Sequence, residues 1–201
     1  MMKKGNKIVT VMMLGMLFLL SSCGSKRYKL QEKYVNVFKE NVHYKFLEDS
    51  TYAVTYDDGD DPKPGTYLFG EGSENALKLF DDETARGYEF IGGVYEDYLC
   101  IIWNGRLPKK YEDTKISRVS DDLEGRMYMN CYFHEDGTYE FLMYLENYDT
   151  KIPEFYHSQE GTYEVEKEKV VCTSDDGSKN IAASTYFMAN DKIYSICFVA
   201  E

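Results

Sequence analysis

The sequence predicts an all-β protein, an antiparallel meander that closes into a barrel or into half-barrels built from two pseudo-repeats. Three observations predict it. Apolar and polar residues alternate with period two along much of the chain, the pattern of a pleated strand with one buried face. Turn dipeptides such as Asn104-Gly105, Asp136-Gly137 and Asp176-Gly177 punctuate these runs, and such pairs supply the positive φ that tight hairpins need. A motif of aromatic and turn residues then recurs in the second half of the chain.

The elements follow in order. Leu30, Tyr34, Val37 and Phe38 fall at helical spacing, so residues 29–40 read as one short amphipathic helix, with a first strand as the alternative. Val42, Tyr44 and Phe46 alternate with His43, Lys45 and Leu47. Turn signals stand at Ser50, 57–59, 62–65, 70–72 and Gly92-Gly93. The apolar run 98–103 closes the first half. Residues 109–122 are polar and weakly periodic and read as a connector. Met127, Met129, Cys131 and Phe133 then alternate with Tyr128, Asn130, Tyr132 and His134, and Ile193, Ser195, Cys197 and Val199 form the last alternating run. Short strands joined at close spacing suggest an antiparallel sandwich or barrel.

The repeat is specific in its residues. Phe46, Glu48, Asp49, Thr51 and Tyr52 recur as Phe133, Glu135, Asp136, Thr138 and Tyr139, an offset of 87. Gly65-Thr66-Tyr67 recurs as Gly161-Thr162-Tyr163, an offset of 96. Each copy ends on an apolar strand. The segments read as a leader over 1–22, a tether or short helix over 23–40, a first β pseudo-repeat over 41–108, a connector over 109–125 and a second pseudo-repeat over 126–201. Halves of five or six strands closing together would remove exposed sheet edges, which otherwise template aggregation. Two separate sandwiches of about 70 residues would each be marginal in stability.

The unit reads Phe, a few polar residues, Gly or Ser, Thr-Tyr, then Gly-Thr-Tyr-x-Val and an apolar strand. In the second copy this is 133–141, 161–178 and 186–198. It resembles the small lipocalin-like domains of bacterial lipoproteins, well over 126–199 and loosely over 41–103, where Ser50 replaces the turn glycine. The resemblance implies a β-meander barrel and carries over no catalytic residue.

The N-terminus has its own signature. Residues 1–7 are basic, 8–20 are apolar and uncharged, and Leu20-Ser21-Ser22-Cys23 follows. A basic start, an apolar stretch of about 7–15 residues and small residues before a cut site make a secretory signal peptide. The apolar stretch is short for a span of about 30 Å, and an uncut membrane anchor is the alternative. The tetrad resembles the lipobox of bacterial lipoproteins. That resemblance implies cleavage before Cys23, a diacylglycerol thioether on its sulfur and further acylation, as by palmitate. One acyl chain holds a protein marginally and two hold it stably. The product would be anchored in a cell membrane of the envelope, facing away from the cytoplasm, with inner and outer membranes both open.

Charge narrows the partners. The chain carries 23 Lys+Arg against 35 Asp+Glu, and the leader removes three lysines and no acid. A net charge of −15 on the mature chain argues against nucleic acid, which needs a basic face, and against anionic headgroups as the main partner. All 19 Tyr and the single Trp lie after the leader, which argues against a disordered tail.

Candidate chemistry is sparse. Cys100, Cys131, Cys172 and Cys197 sit within apolar strands, which predicts buried thiols rather than bridges, and no C-x-x-C spacing exists. His43, His134 and His157 form no metal or catalytic spacing. Asp57-Asp58-Gly59-Asp60-Asp61 offers hard oxygen ligands suited to calcium but lacks the EF-hand pattern and reads as a solvated loop. Nucleophile-elbow and phosphate-loop motifs are absent. The residues call for no metal or cofactor. Tyr98, Trp103, Tyr139, Tyr163, Phe187 and Tyr194 are the candidates to line a barrel interior, or simply to fill it. The functional expectation is a non-catalytic module binding a small apolar ligand or an envelope protein. An envelope structural protein with a closed core is the alternative, and a hydrolase comes last.

Overall fold

The computed structural model describes residues 26–70, 75–81, 90–121, 124–167, 169–176 and 184–201. Cys23 and the leader lie outside them. Among the described residues fourteen strands follow one another and no helix forms. They are β1 (Lys33–Asn36), β2 (Val42–Phe46), β3 (Thr51–Tyr56), β4 (Lys63–Phe69), β5 (Ala76–Asp81), β6 (Phe90–Tyr95) and β7 (Tyr98–Gly105), then β8 (Thr114–Asp121), β9 (Gly125–Phe133), β10 (Thr138–Asn147), β11 (Pro153–Glu166), β12 (Lys169–Ser174), β13 (Thr185–Ala189) and β14 (Lys192–Ala200).

Each strand pairs antiparallel with its sequence neighbours, and β1 pairs with β14 to close the ring. A further ladder joins β14 to β7, from Ile193↔Trp103 to Val199↔Tyr98. This ladder divides the ring. On its free edge β7 pairs with β6 through Tyr98 to Cys100 and with β8 through Asn104 and Gly105. β14 does the same, with β13 on its first half and β1 on its second. Two eight-stranded closed sheets result, β1–β7 with β14 and β8–β14 with β7, sharing a two-stranded ribbon. The ribbon is covered on both faces, so burial there is continuous rather than alternating. Leu99, Cys100 and Ile101 are successive buried residues, as are Ile193, Tyr194 and Ser195.

The repeated motif folds the same way twice. Leu47 N–H donates to Thr51 O, and His134 N–H to Thr138 O, each at 2.9 Å. The Thr51 and Thr138 amides each cap the Asp two residues earlier, at 3.0 and 2.9 Å, in local Asx turns. Tyr67 OH donates to Leu47 O and Tyr163 OH to His134 O, both at 2.7 Å. Ser50, in place of Gly137, takes a left-handed φ of 66°. Gly65 lies opposite Tyr52, and Gly161 opposite Tyr139. A Cβ on either glycine would fall within 2.8 Å of that tyrosine ring, so each glycine makes room for its partner's ring.

The structure corrects four expectations. Residues 29–40 hold strand β1 and no helix, because pairing with β2 and β14 supplies its backbone partners. The expected connector 109–122 contains β8, paired with β9 over eight residues. Each copy has seven strands rather than five or six and borrows the eighth. Gly92-Gly93 lies inside β6 rather than in a turn, since a Cβ at Gly92 would meet the Phe90 ring at 2.2 Å.

Candidate functional site

The six aromatic candidates separate into two groups. Trp103, Tyr139 and Tyr163 are buried in the second closed sheet. Trp103 meets Tyr186 at 5.9 Å, Tyr186 meets Phe133 at 5.9 Å, and Phe133 meets Tyr163 at 5.1 Å. The Tyr139 hydroxyl donates to Gln159 Oε1 at 3.4 Å. Burial pushes the phenols of Tyr139 and Tyr186 upward, since a phenolate would be desolvated there. The other three, Tyr98, Phe187 and Tyr194, gather at the β6–β7 and β13–β14 hairpins. Phe187 stacks on Tyr194 at 5.3 Å, and Tyr98 lies 6.3 Å from Phe187. Tyr95 and Tyr28 extend this half-buried cluster, at 4.6 Å from Tyr194 and 5.0 Å from Tyr95 respectively. No periodicity or motif marks Tyr28 as a member of this cluster. Its amide donates to Asn75 Oδ1 at 2.8 Å, and Asn75 Nδ2 donates to Lys26 O at 2.9 Å. These bonds strap the N-terminal segment to the body.

Among the clefts on the described surface are three with distinct linings. The first, about 500 Å³, is lined by Arg106 and Lys109 from the loop after β7 and by Lys167 and Lys169 at the β11–β12 turn, over Leu107 and Val170. Four cations over an apolar floor stand out in a chain of net charge −12, and this arrangement suits an amphipathic ligand with an acidic part. Sequence reading missed it because the cations come from two distant loops. The second cleft, about 840 Å³, lies between the start of β1 and the β2–β3 hairpin, with Leu30, Phe46, Tyr67 and Phe69 in its lining. A third, about 440 Å³, occupies a matching place in the second copy, beside Thr114, Phe133 and His134. Tyr111 packs on Tyr163 nearby at 5.5 Å. None of the six aromatic candidates lines these three clefts.

The titratable candidates sit apart. All four described cysteines are buried free thiols. Burial pushes Cys131 and Cys197 up to about 12, with Cys100 and Cys172 also raised. Such thiols are protonated and poorly nucleophilic at neutral pH. His43 lies between two carboxylates, with Nδ1 against Glu201 Oε1 and Nε2 3.0 Å from Asp57 Oδ1. The Glu201 hydrogen bond holds its pKa above the ordinary value. His134 lines the third cleft, and the His157 ring lies 6.0 Å from Phe141. In the 57–61 loop Asp57 is engaged by His43, and Asp58 Oδ1 accepts from the Asp60 amide at 3.4 Å. Among the described residues no group of three His, Cys, Asp or Glu is placed to hold a metal ion.

No family model, no curated protein and no solved structure matches the chain.

Proposed function

We propose that the chain is a lipid-anchored lipoprotein outside the cytoplasm that acts as a non-catalytic binding module for a small apolar or amphipathic ligand. The cleft of about 500 Å³ carries the binding half of this reading, because four cations rim an apolar floor there. Leu20-Ser21-Ser22-Cys23 after the apolar run carries the anchoring half. The strap at Lys26 adds a length argument. Two residues, Gly24 and Ser25, separate Lys26 from Cys23, a reach of roughly 10 Å at most. A lipid on Cys23 would therefore hold the body against the bilayer surface, with Tyr28 and Tyr95 close to it. Tyrosine rings suit such an interface, being apolar in body and polar at the tip.

A second reading has its own observation. Trp103 and Tyr163 pack against neighbouring rings and Tyr139 is buried with its hydroxyl on Gln159, which favours an envelope interaction protein whose core holds nothing. Two measurements separate and test these readings. Cys23→Ala should move the protein from the membrane fraction to the soluble fraction, and retention on the membrane contradicts the anchor. Native mass spectrometry of the protein purified from its host should show a bound small molecule. A mass equal to that of the bare chain supports the closed-core reading instead.

A further inference from the structure

Thr114, Ile116 and Arg118 share one face of β8, since alternate residues of a strand point the same way. That face is inward, because Ile116 is fully buried and the cross-strand partners Phe133, Cys131 and Met129 are buried as well. The Arg118 row continues across the sheet through Met129↔Met143 and Met143↔His157. On the other side, Asn104 pairs with Ser117. The ladder ends there, and one more step of the same register would set Trp103 opposite Arg118.

Two polar atoms here are sealed from solvent and have no hydrogen-bond partner, Arg118 Nη1 and Trp103 Nε1. Thr114 Oγ1 is a third such atom, but it lies four residues, about 13 Å, along β8 beside the third cleft. The arginine and the indole can only donate. The described ion pairs of arginines use Arg106 and Arg126 and leave Arg118 alone. The ionisable group that acts on it is Cys197, whose thiol burial pushes up to about 12. That thiol is neutral at pH 7 and is no counter-ion. Burial lowers the Arg118 guanidinium only to about 10, so it stays charged. The Arg118 side chain is half-buried with Nη1 sealed. A charge so placed calls for a partner, and two donors without an acceptor define that partner as an anion.

We propose that Arg118 is a ligand-binding residue that receives the anionic group of an amphipathic molecule, a carboxylate by preference, inside the second closed sheet. This goes beyond the surface cleft described above and places a separate site at Arg118, which the cleft's lining does not include. The guanidinium fork matches a carboxylate in two parallel hydrogen bonds. Trp103 Nε1 stands as a further donor without a partner. Met129 and Met143 offer flexible, polarisable side chains that adapt to an apolar tail.

Trp103 is the single tryptophan, so its emission reports this patch directly. The test titrates decanoate and, separately, decanol into residues 24–201, which retain every described strand. Decanoate should change Trp103 emission saturably and bind at least tenfold tighter than decanol. Arg118→Met should abolish that difference and raise the melting temperature of the ligand-free protein, since it removes an unpaired charge. The Lys167→Ala, Lys169→Ala double variant should keep the preference for decanoate. Equal binding of the two probes by the unaltered chain overturns the role of Arg118 and leaves the binding module standing. A preference that survives Arg118→Met overturns it too, and credits the surface cations. If neither probe perturbs Trp103, the Arg118 inference falls, while the reading carried by the cleft at Arg106, Lys109, Lys167 and Lys169 is tested separately by the native mass. The comparison of probes on the unaltered chain needs no variant to fold.

Discussion

His43 stands on the outer edge of β2 with a carboxylate at each ring nitrogen, Glu201 from the end of the chain and Asp57 from the end of β3. The arrangement ties three chain segments together when the ring is protonated. Its pKa is raised in the fold, chiefly by the Glu201 hydrogen bond. The contribution to stability is therefore full below the ordinary value of about 6.5 and is lost as pH rises through the folded value. Solvent screens the site, so the contribution is at most about 1 kcal/mol. His43→Gln should lower the melting temperature at pH 6, with the gap closing by pH 9. A gap that is the same at both values contradicts the ion-pair account. At this scale the sequence was legible where local chemistry decides. Asp49, Thr51, Asp136 and Thr138 make the turns their types favour. It was illegible where a partner is distant, as for His43, 158 residues from Glu201.

At the scale of elements, the shared ribbon exchanges side chains between the copies. Phe198 of β14 packs in the first sheet, 4.6 Å from Tyr44 and 5.5 Å from Phe90. Trp103 of β7 packs in the second, 6.3 Å from Phe141. Each copy thus lends its last strand's aromatic to the other. Phe198→Ala should cost about 3–5 kcal/mol in a denaturant melt. It should also speed amide exchange in β2 and β6, in the opposite half of the sequence. Faster exchange confined to β13 and β14 contradicts the exchange of side chains. The apolar closing strands were legible as runs of Ile, Cys and Tyr. β1 was not, because Leu30, Tyr34, Val37 and Phe38 satisfy a helical spacing that pairing with two strands overrides. β8 was missed because its inward row contains Thr114 and Arg118, polar residues at positions where a strand is recognised by apolar ones.

Over the whole molecule, two seven-strand meanders complete each other. Neither copy alone closes its sheet, since β1–β7 lacks β14 and β8–β14 lacks β7. The duplication was legible because turn and glycine requirements fix Gly65-Thr66-Tyr67 and Gly161-Thr162-Tyr163 in both copies. The mutual closure was not, since which strand pairs with which across the chain leaves no mark in local periodicity. The β7–β14 ladder is the feature on which the double closure, the crossed aromatics and the sealed patch at Arg118 all depend. Nuclear Overhauser contacts between backbone protons test it most directly. The account predicts contacts between Ser195 and Ile101 and between Tyr194 and Ile102, alongside those joining β7 to β6 and β8. A spectrum with the β6 and β8 contacts present and the β14 contacts missing would contradict it.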